Sequence, residues 1–395
     1  MSADLRQHWT LDPELVFLNH GSFGATPRVV QEAQSEWRAR LERQPVQFLA
    51  RELEGELDAA RDVLGGLLGA DPDDLAFVPN ATHGLNTVLR SLSFAPGDEL
   101  LATSHGYNAA RTAATFVAER AGARLIEAEV PWPLRSSDEV VEAVLRRVTS
   151  RTRLLLIDHV TSPTGLRFPV ERLIAEMEAR GIDVFVDGAH APGMLELDLG
   201  ALGATYYTGN CHKWLCAPKG AAFLWVRRDK QPGVRPLAIS HGANDPRADR
   251  SRFRLELDWT GTADPSPYLC VPAALRFLEG LFPGGLAGLR AHNDALVRAG
   301  RRLLLEALGA PAPAPEDMLG WLAAVPLAQL EGPVQNPVGF SDPLQARLVR
   351  EARIEVPVFR FPGGRVLRIS AQAYNDITDY QALVAALVRF GAARA

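Results

Sequence analysis

Three lysines occur in this chain of 395 residues, although lysine and arginine together number 42. Lys213 and Lys219 lie in the segment TGNCHKWLCAPKG at 208–220, and the third is Lys230. An amine can lose its proton and act as a nucleophile, whereas the guanidinium of arginine stays charged. A sequence that otherwise uses arginine is expected to keep lysine where only an amine serves, so each of the three is a candidate nucleophile.

Seven short β-rich runs alternate with amphipathic stretches between residues 71 and 228. The strands are predicted at 75–80, 99–104, 123–130, 153–160, 183–189, 204–209 and 221–226. Their alternation with helices predicts a mostly parallel sheet covered by helices, an α/β fold. Ligands of such sheets bind where strands end and loops lead into helices, so the strand ends are searched for reactive residues.

Two strand ends carry residues suited to covalent chemistry. Asp187 follows the apolar run VFV, where a carboxylate is costly to bury unless a cation or strong donor faces it. His190 is three residues further along and can reach the same space. Lys213 follows the sixth predicted strand, whereas Lys219 is typical of a turn and Lys230 of a surface loop. Lys213 is therefore the favoured nucleophile.

Two further loops supply groups for a cofactor. NATHG at 80–84 joins a strand to a helix, where backbone N–H groups and the helix dipole favour an anion. It is neither a Walker loop nor a GxGxxG motif, so a single phosphate is favoured; the alternative is an N-cap by Thr82. Tyr107 in SHGYNA either stacks on a planar ligand or covers the sheet edge. A lysine nucleophile, a buried carboxylate, an aromatic ring and a phosphate site together indicate pyridoxal phosphate.

Composition disfavours several other functions. The net charge of −5 and the isoelectric point near 6.0 predict no nucleic-acid surface. No apolar run reaches the roughly 18 residues of a membrane span and no secretion signal is recognised, so a cytoplasmic protein is expected. Three cysteines disfavour a disulfide framework. Cys211, His212 and Cys216 do not match zinc-site spacing, so no metal is predicted.

The chain is long enough for a large α/β domain and a smaller companion. Residues 1–26 are predicted as an N-terminal segment and 27–70 as helices that pack near the small domain. Residues 71–264 are predicted as the large cofactor-binding domain. Residues 265–395 are predicted as a small α+β domain with a strand at 364–370.

Four motifs resemble one enzyme family. They are NHGSFGATP (19–27), HVTSPTGLRFPV (159–170), VDGAHAPG (186–193) and TGNCHKWLCAPKG. In these four motifs the chain resembles the class V aminotransferase-type pyridoxal phosphate enzymes. The resemblance is greatest to the isopenicillin N epimerase-like branch of that family. The resemblance covers about residues 17 to 375. It implies the aspartate aminotransferase-like fold, with a mostly parallel seven-stranded sheet in the large domain.

The resemblance implies a role for each cofactor residue. Lys213 would form the Schiff base, or internal aldimine, Asp187 would pair with the pyridinium, and His190 would lie near the ring hydroxyl. Tyr107 falls where the family stacks an aromatic ring or a histidine. Ser162 occupies a position that is Asn in the related cysteine desulfurases. The remaining cofactor-binding positions are those that match the phosphate site: Ala81, Thr82, Asn210 and His212.

The resemblance also implies the substrate contacts and a partner. Arg368 matches the arginine that grips the α-carboxylate of an amino-acid substrate, a task that suits a planar, bidentate group. Asn19 and His20 fall where the N-terminal segment approaches the substrate. Thr262, in WTGTAD, matches the residue with which a neighbouring subunit reaches the phosphate, so a homodimer with shared active sites is expected.

The implied reaction begins with removal of the α-proton by Lys213 to give a quinonoid. Epimerisation, transamination and loss of a β or γ substituent can follow, and the branch favours an epimerase-like enzyme over a C–S lyase, such as a hercynylcysteine sulfoxide lyase, or an aminotransferase. A cysteine desulfurase is disfavoured because VPVFRFPGGRV, before Arg368, has no Cys. A non-enzymatic regulator is disfavoured because no helix-turn-helix is predicted before residue 17, and a dehydrogenase because GxGxxG is absent.

Overall fold

The structure, a computed structural model, describes residues 5–327, 342–361 and 364–393. Its strands are β1 (Val16–Phe17), β2 (Leu75–Val78), β3 (Glu99–Thr103), β4 (Arg124–Ala128), β5 (Thr152–Asp158), β6 (Asp183–Asp187), β7 (Tyr206–Asn210), β8 (Ala222–Val226), β9 (Leu322–Leu327), β10 (Ile354–Glu355), β11 (Val358–Phe361) and β12 (Gly364–Ser370). All seven predicted strands of the large sheet are present, shortened at one or both ends.

The α-helices are α1 (His20–Phe23), α2 (Arg28–Arg43), α3 (Pro45–Gln47), α4 (Leu53–Leu68), α5 (Ala81–Ser91), α6 (Asn108–Ala121), α7 (Ser137–Leu145), α8 (Val170–Glu178), α9 (Leu199–Leu202), α10 (Arg252–Leu257), α11 (Ser266–Leu269), α12 (Val271–Glu279), α13 (Leu286–Leu308), α14 (Pro343–Ala352) and α15 (Ile377–Arg389). Tighter 3₁₀ turns cover Arg6–His8, Pro72–Asp74, Arg228–Gly233, His241–Asn244 and Glu316–Met318, and one π turn covers Phe48–Glu52.

The central sheet has seven strands in the order β2-β8-β7-β6-β5-β3-β4. β8 runs antiparallel to β7 and to β2, and the pairs from β7 through β4 are parallel. The middle strands are buried along nearly their whole length, as expected for a sheet that is covered on both faces. The predicted fold class is confirmed. Parallel neighbours bring the carboxyl ends of β5, β6 and β7 to one edge of the sheet.

A second, antiparallel sheet of order β11-β12-β9 lies in the C-terminal part of the chain. The long helix α13 packs against β9 and against α15. The short strand β1 pairs in parallel with β10, and the backbone N–H of Ser370 donates to the carbonyl of Leu18 at 3.0 Å. The N-terminal segment is thereby attached to the C-terminal part, while the domain boundaries remain predictions.

The N-terminal segment also touches the large sheet at one close approach. Gly24 follows α1 with φ of +73°, and a Cβ at this position would stand 2.0 Å from the carbonyl oxygen of His212. Only glycine fits there, because it tolerates this backbone angle and has no side chain to collide. The glycine that ends the motif HGSFG therefore brings α1 against the loop that carries Lys213.

Within the described part of the chain, none of the helices combines the length and apolar character that a membrane crossing requires.

Candidate active site

A cavity of about 580 Å³ lies at the carboxyl edge of the central sheet. Eight of the predicted site residues line it: Ala81, Thr82, Tyr107, Asp187, His190, Asn210, His212 and Lys213. Others in its lining were not predicted, among them Ser22, Phe23, Asn80, Asp158 and Lys219. Ser22 and Phe23 belong to α1, so the N-terminal helix also contributes to the cavity.

Lys213 follows β7, and its amine lies 3.1 Å from Nε2 of His190. The indole N–H of Trp214 donates to Nδ1 of the same imidazole at 3.3 Å. Because Nδ1 accepts, the neutral ring carries its proton on Nε2 and can donate it only to an unprotonated amine. The geometry of His190 therefore suits a neutral Lys213.

The electrostatics of the two groups agree with that assignment. Burial, as the largest cause, and the positive charge of Arg368 lower the pKa of Lys213 to about 7, and the negative charges of Asp187 and Asp158 oppose both. Burial, followed by the charges of Lys213 and Arg368, holds the pKa of His190 well below its usual range. Both groups can be neutral near pH 7, so the amine is prepared to act as a nucleophile or a base.

Asp187 ends β6 and is 2% exposed. Its Oδ1 accepts the backbone N–H of Ala189 at 2.9 Å, while its buried Oδ2 has no hydrogen-bond partner among the described residues. Burial raises the pKa of this carboxyl. An unpartnered buried acceptor facing a cavity is costly, and a protonated ring nitrogen would satisfy it. The residue therefore fits the pyridinium of pyridoxal phosphate.

A second buried carboxylate, Asp158, was missed by the sequence argument. The register of β5 and β6 pairs Asp158 with Asp187, and the residue is 5% exposed. Its Oδ1 accepts the backbone N–H of Tyr107 at 3.4 Å. Burial and the charge of Asp187 raise its pKa well above the usual range. The sequence did contain an indication of this residue. The apolar runs LLLI and VFV, in two successive predicted strands, are each followed directly by an aspartate, Asp158 and Asp187.

The proposed phosphate end is built by the start of α5. Asn80, not Thr82, caps this helix, because its side-chain oxygen accepts the backbone N–H of His83 at 2.9 Å. The backbone N–H of Ala81 donates to the side-chain oxygen of Asn210 at 2.9 Å, which joins the end of β7 to the helix. From the sequence, an N-cap in this loop was offered as an alternative. The structure confirms an N-cap here, but the capping residue is Asn80 and not Thr82.

Arg368 lies on β12 and is 4% exposed. One terminal nitrogen donates to the carbonyl and hydroxyl of Ser162, and the other donates to the hydroxyl of Ser22 at 3.2 Å. Its Nε has no partner among the described residues, and burial lowers the pKa of the guanidinium to about 10. The guanidinium of Arg368 is thus fixed by Ser162 and Ser22, and its Nε can still donate a hydrogen bond. Neither Arg368 nor Ser162 belongs to the lining of the cavity, so the substrate contact expected of Arg368 and the cofactor contact expected of Ser162 stay predictions.

Asn19 and His20 both make hydrogen bonds within the protein. The ring of His20 is fully buried between the hydroxyl of Tyr374, at 2.8 Å, and the carbonyl oxygen of Lys213, at 2.9 Å. Asn19 donates to the carboxylate of Glu355 at 3.1 Å and accepts from the hydroxyl of Ser22. Neither side chain belongs to the lining of the cavity, and their contact with the substrate stays a prediction. The same helix instead directs Ser22 and Phe23 at the cavity.

Thr262 is exposed on this chain and lies outside the cavity lining. Its predicted approach to the site of a neighbouring subunit therefore stays a prediction.

The three cysteines Cys211, Cys216 and Cys270 are free and buried, and none lines the cavity. Burial raises the pKa of Cys216 and of Cys270 to about 12. Reactive thiols need a thiolate, so these side chains are poorly suited to nucleophilic chemistry. Among the described residues, no group of three or more His, Cys, Asp or Glu side chains is arranged to hold a metal ion.

Comparison with known proteins agrees with this geometry. The family model for class V aminotransferases matches residues 16–307. Isopenicillin N epimerase of Amycolatopsis lactamdurans is 38% identical over 98% of this chain and 97% of its own length. A probable chloroplastic L-cysteine desulfhydrase of Arabidopsis thaliana is 33% identical over 96% of this chain and 84% of its own.

Solved structures show the same fold at lower identity. The cysteine desulfurase CsdA of Escherichia coli matches with a TM-score of 0.78 and 22% identity, covering 98% of each chain. The cystine C–S lyase C-DES, in complex with its product cysteine persulfide, matches with a TM-score of 0.79 and 20% identity, covering 97% of this chain and 99% of that one. The predicted family, its epimerase-like branch and its cofactor are confirmed. The chain belongs to the class V aminotransferase family, whose enzymes use pyridoxal 5'-phosphate.

Proposed function

We propose that this enzyme acts on the α-carbon of an amino-acid substrate in an epimerase-like reaction, in which Lys213 removes the α-proton and a proton is returned from the opposite face. One observation carries the proposal. The Lys213 amine, with a pKa of about 7, lies 3.1 Å from His190 in the cavity that also holds the unpartnered oxygen of Asp187. A base whose pKa lies near the working pH is suited to proton transfer at carbon.

Bound pyridoxal 5'-phosphate supplies an aldehyde with which Lys213 can form a Schiff base and a ring that withdraws electrons from the α-carbon. Asp187 would hold the ring nitrogen through Oδ2. Tyr107, which is 42% exposed at the cavity, would cover a face of the ring. The phosphate would lie at the start of α5, where Ala81 and Thr82 line the cavity.

Arg368 would bind the α-carboxylate of the substrate. Its guanidinium is fixed by Ser162 and Ser22, and its unpartnered Nε adds a donor to a group that recognises carboxylates in a bidentate way. The substrate would then be held at its carboxylate while Lys213 exchanges the α-proton. His190, holding its proton on Nε2, would keep the amine oriented.

Epimerisation is the favoured outcome because two of the relatives, at 38% and 35% identity, are isopenicillin N epimerases. The proposal concerns the type of reaction, not the penicillin substrate. A C–S lyase is the second candidate, since relatives at 30–33% identity are named as L-cysteine desulfhydrases, one of them as probable and one as putative. A persulfide-forming desulfurase is disfavoured because none of the three buried cysteines lines the cavity.

The test is a panel of L- and D-amino acids, including sulfur-containing ones, incubated with the purified enzyme in deuterated water. Exchange of the α-proton with loss of configuration, and without keto acid, is the expected result. Release of pyruvate with a sulfur product would select the lyase, and release of a keto acid alone the aminotransferase. No exchange with any amino acid in the panel would contradict the proposal. Lys213→Ala should abolish exchange, and Lys230→Ala is the matched control because Lys230 pairs with Asp183 on the protein surface.

We also propose a homodimer in which Thr262 of each chain completes the other chain's phosphate site. The exposure of Thr262 outside its own cavity supports this arrangement. Lys213→Ala and Thr262→Asp variants should each be inactive alone and should regain part of the activity when mixed and allowed to exchange subunits. Sedimentation that gives a single chain, or no recovery on mixing, would count against shared sites. The cytoplasmic location stays a prediction.

A further inference from the structure

Lys219 lines the same cavity as Lys213, although the sequence around it indicates only a turn. The turn is present, with Gly220 at φ of +98°. The amine of Lys219 makes one long hydrogen bond, 3.4 Å to the hydroxyl of Thr26. Its charge is one of the causes that lower the pKa of His212, so the amine lies near that ring. The Lys219 side chain shares the cavity lining with Ala81 and Thr82 of α5, and its amine is weakly held.

Among the described residues that line the phosphate end of the cavity, none other than Lys219 carries a full positive charge. Nδ1 of His212 contacts the carbonyl oxygen of Ala221 at 3.0 Å and donates to it, so the neutral ring keeps Nε2 as an acceptor. Burial, followed by the charge of Lys213, lowers the pKa of His212 to about 4, so the ring is neutral near pH 7. The first turn of α5 contributes only about half an elementary charge. A phosphate dianion would be incompletely balanced by these groups.

Lysine is the only cationic residue type, other than histidine, among the described residues that line this cavity. Lys213 lies beside His190, at the end where the carbonyl chemistry is proposed. Lys230 is engaged with Asp183 at 2.8 Å and lies outside the cavity. Arg368 is held by Ser162 and Ser22. Of the lysine and arginine side chains considered, Lys219 is therefore the one that is available to bind the phosphate.

We propose that Lys219 leaves the hydroxyl of Thr26 and supplies the positive charge that balances the cofactor phosphate. The exchange costs little, because the bond that is broken is long and a charge-assisted bond to a phosphate oxygen replaces it. The inference rests on binding of pyridoxal 5'-phosphate in this cavity. It assigns a binding function to the second lysine of the segment TGNCHKWLCAPKG.

The test compares two ligands that differ only in the phosphate. The full chain is stripped of cofactor, and dissociation constants for pyridoxal 5'-phosphate and for pyridoxal are measured by absorbance. Lys219→Gln should weaken binding of the phosphorylated ligand by about 10- to 100-fold, the range for a charged hydrogen bond, and leave pyridoxal unchanged. Lys219→Arg should retain most of the affinity, since it keeps the charge. Lys230→Gln is the matched control and should change neither constant.

Two outcomes would overturn the assignment. Equal weakening of both ligands would show that Lys219 only shapes the turn, and unchanged binding of both would show that the phosphate does not meet this amine. Thermal unfolding of each variant identifies a folding defect, and Lys219→Met provides a second neutral replacement. Failure of the proposed reaction is distinguishable, because it would appear as a wild-type enzyme that binds cofactor and exchanges no α-proton.

Discussion

The Lys213 amine should be about half neutral at pH 7 in enzyme freed of its cofactor. Its pKa is lowered from 10.5 to about 7, with burial as the largest cause and Arg368 as the next. An amine at the ordinary value is neutral in only about 3 molecules of 10,000 at pH 7, so the enrichment of the reactive form is on the order of 1,000-fold. The amine should titrate in the physiological range.

Two substitutions should move this titration in opposite directions. Arg368→Gln removes a positive charge that disfavours the ammonium form, so the pKa of Lys213 should rise. Asp187→Asn removes a negative charge that favours it, so the pKa should fall. Burial is retained in both variants, so neither should restore the ordinary value.

Competitive acetylation measures the titration directly. The stripped enzyme reacts with limiting isotope-labelled acetic anhydride at a series of pH values, and mass spectrometry follows the peptide that carries Lys213. The chain contains three lysines, so few peptides need to be resolved. The midpoint of the pH profile reports the pKa independently of how accessible the amine is. A midpoint near 10, or shifts of the same sign in both variants, would refute the electrostatic account.

Three further predictions concern the walls of the site. Asp187→Asn should lower the pKa of the bound cofactor's pyridine nitrogen by roughly 1–3 units, because an opposite charge is lost; an unchanged ¹⁵N chemical shift of labelled cofactor would contradict this. Gly84→Ala would place a Cβ 2.4 Å from the hydroxyl of Thr208. It should lower the free energy of unfolding in urea by about 1–3 kcal/mol, whereas Gly55→Ala, the control, has no atom within 4 Å of the added Cβ and should not destabilise. Asn80→Ala removes the cap of α5 and should cost about 1 kcal/mol in the same assay; no loss would mean that another group caps the helix.

The ends of the strands, and the reactive residues that follow them, could be predicted from the sequence because both depend on residues that are close together in the chain. The alternation of apolar runs and helices predicted the large sheet, and with it the common edge on which Asp187, His190 and Lys213 meet. The pairing of Asp158 with Asp187 was within reach once parallel strands were assumed. These inferences need only the periodicity of each element and the rule that parallel strands share a direction.

Contacts between segments that are far apart in the sequence could not be predicted in this way. The sequence gives no measure of how α1 lies against the loop of Lys213, so the contact of the His20 ring with the carbonyl oxygen of Lys213 was not predicted. Ser162 was likewise assigned by position in a motif, while its partner, Arg368, is 206 residues away. Such contacts depend on side-chain packing between parts of the chain that no local pattern relates.

The two hydrogen bonds of His20 connect separate parts of the chain. Its backbone N–H donates to the hydroxyl of Ser370 on β12, two residues from Arg368, and its ring meets the carbonyl oxygen of Lys213. One residue therefore links the strand that carries Arg368 to the backbone of Lys213. Because both contacts are made by His20, a movement that separated β12 from the loop of Lys213 would have to break one of these two hydrogen bonds.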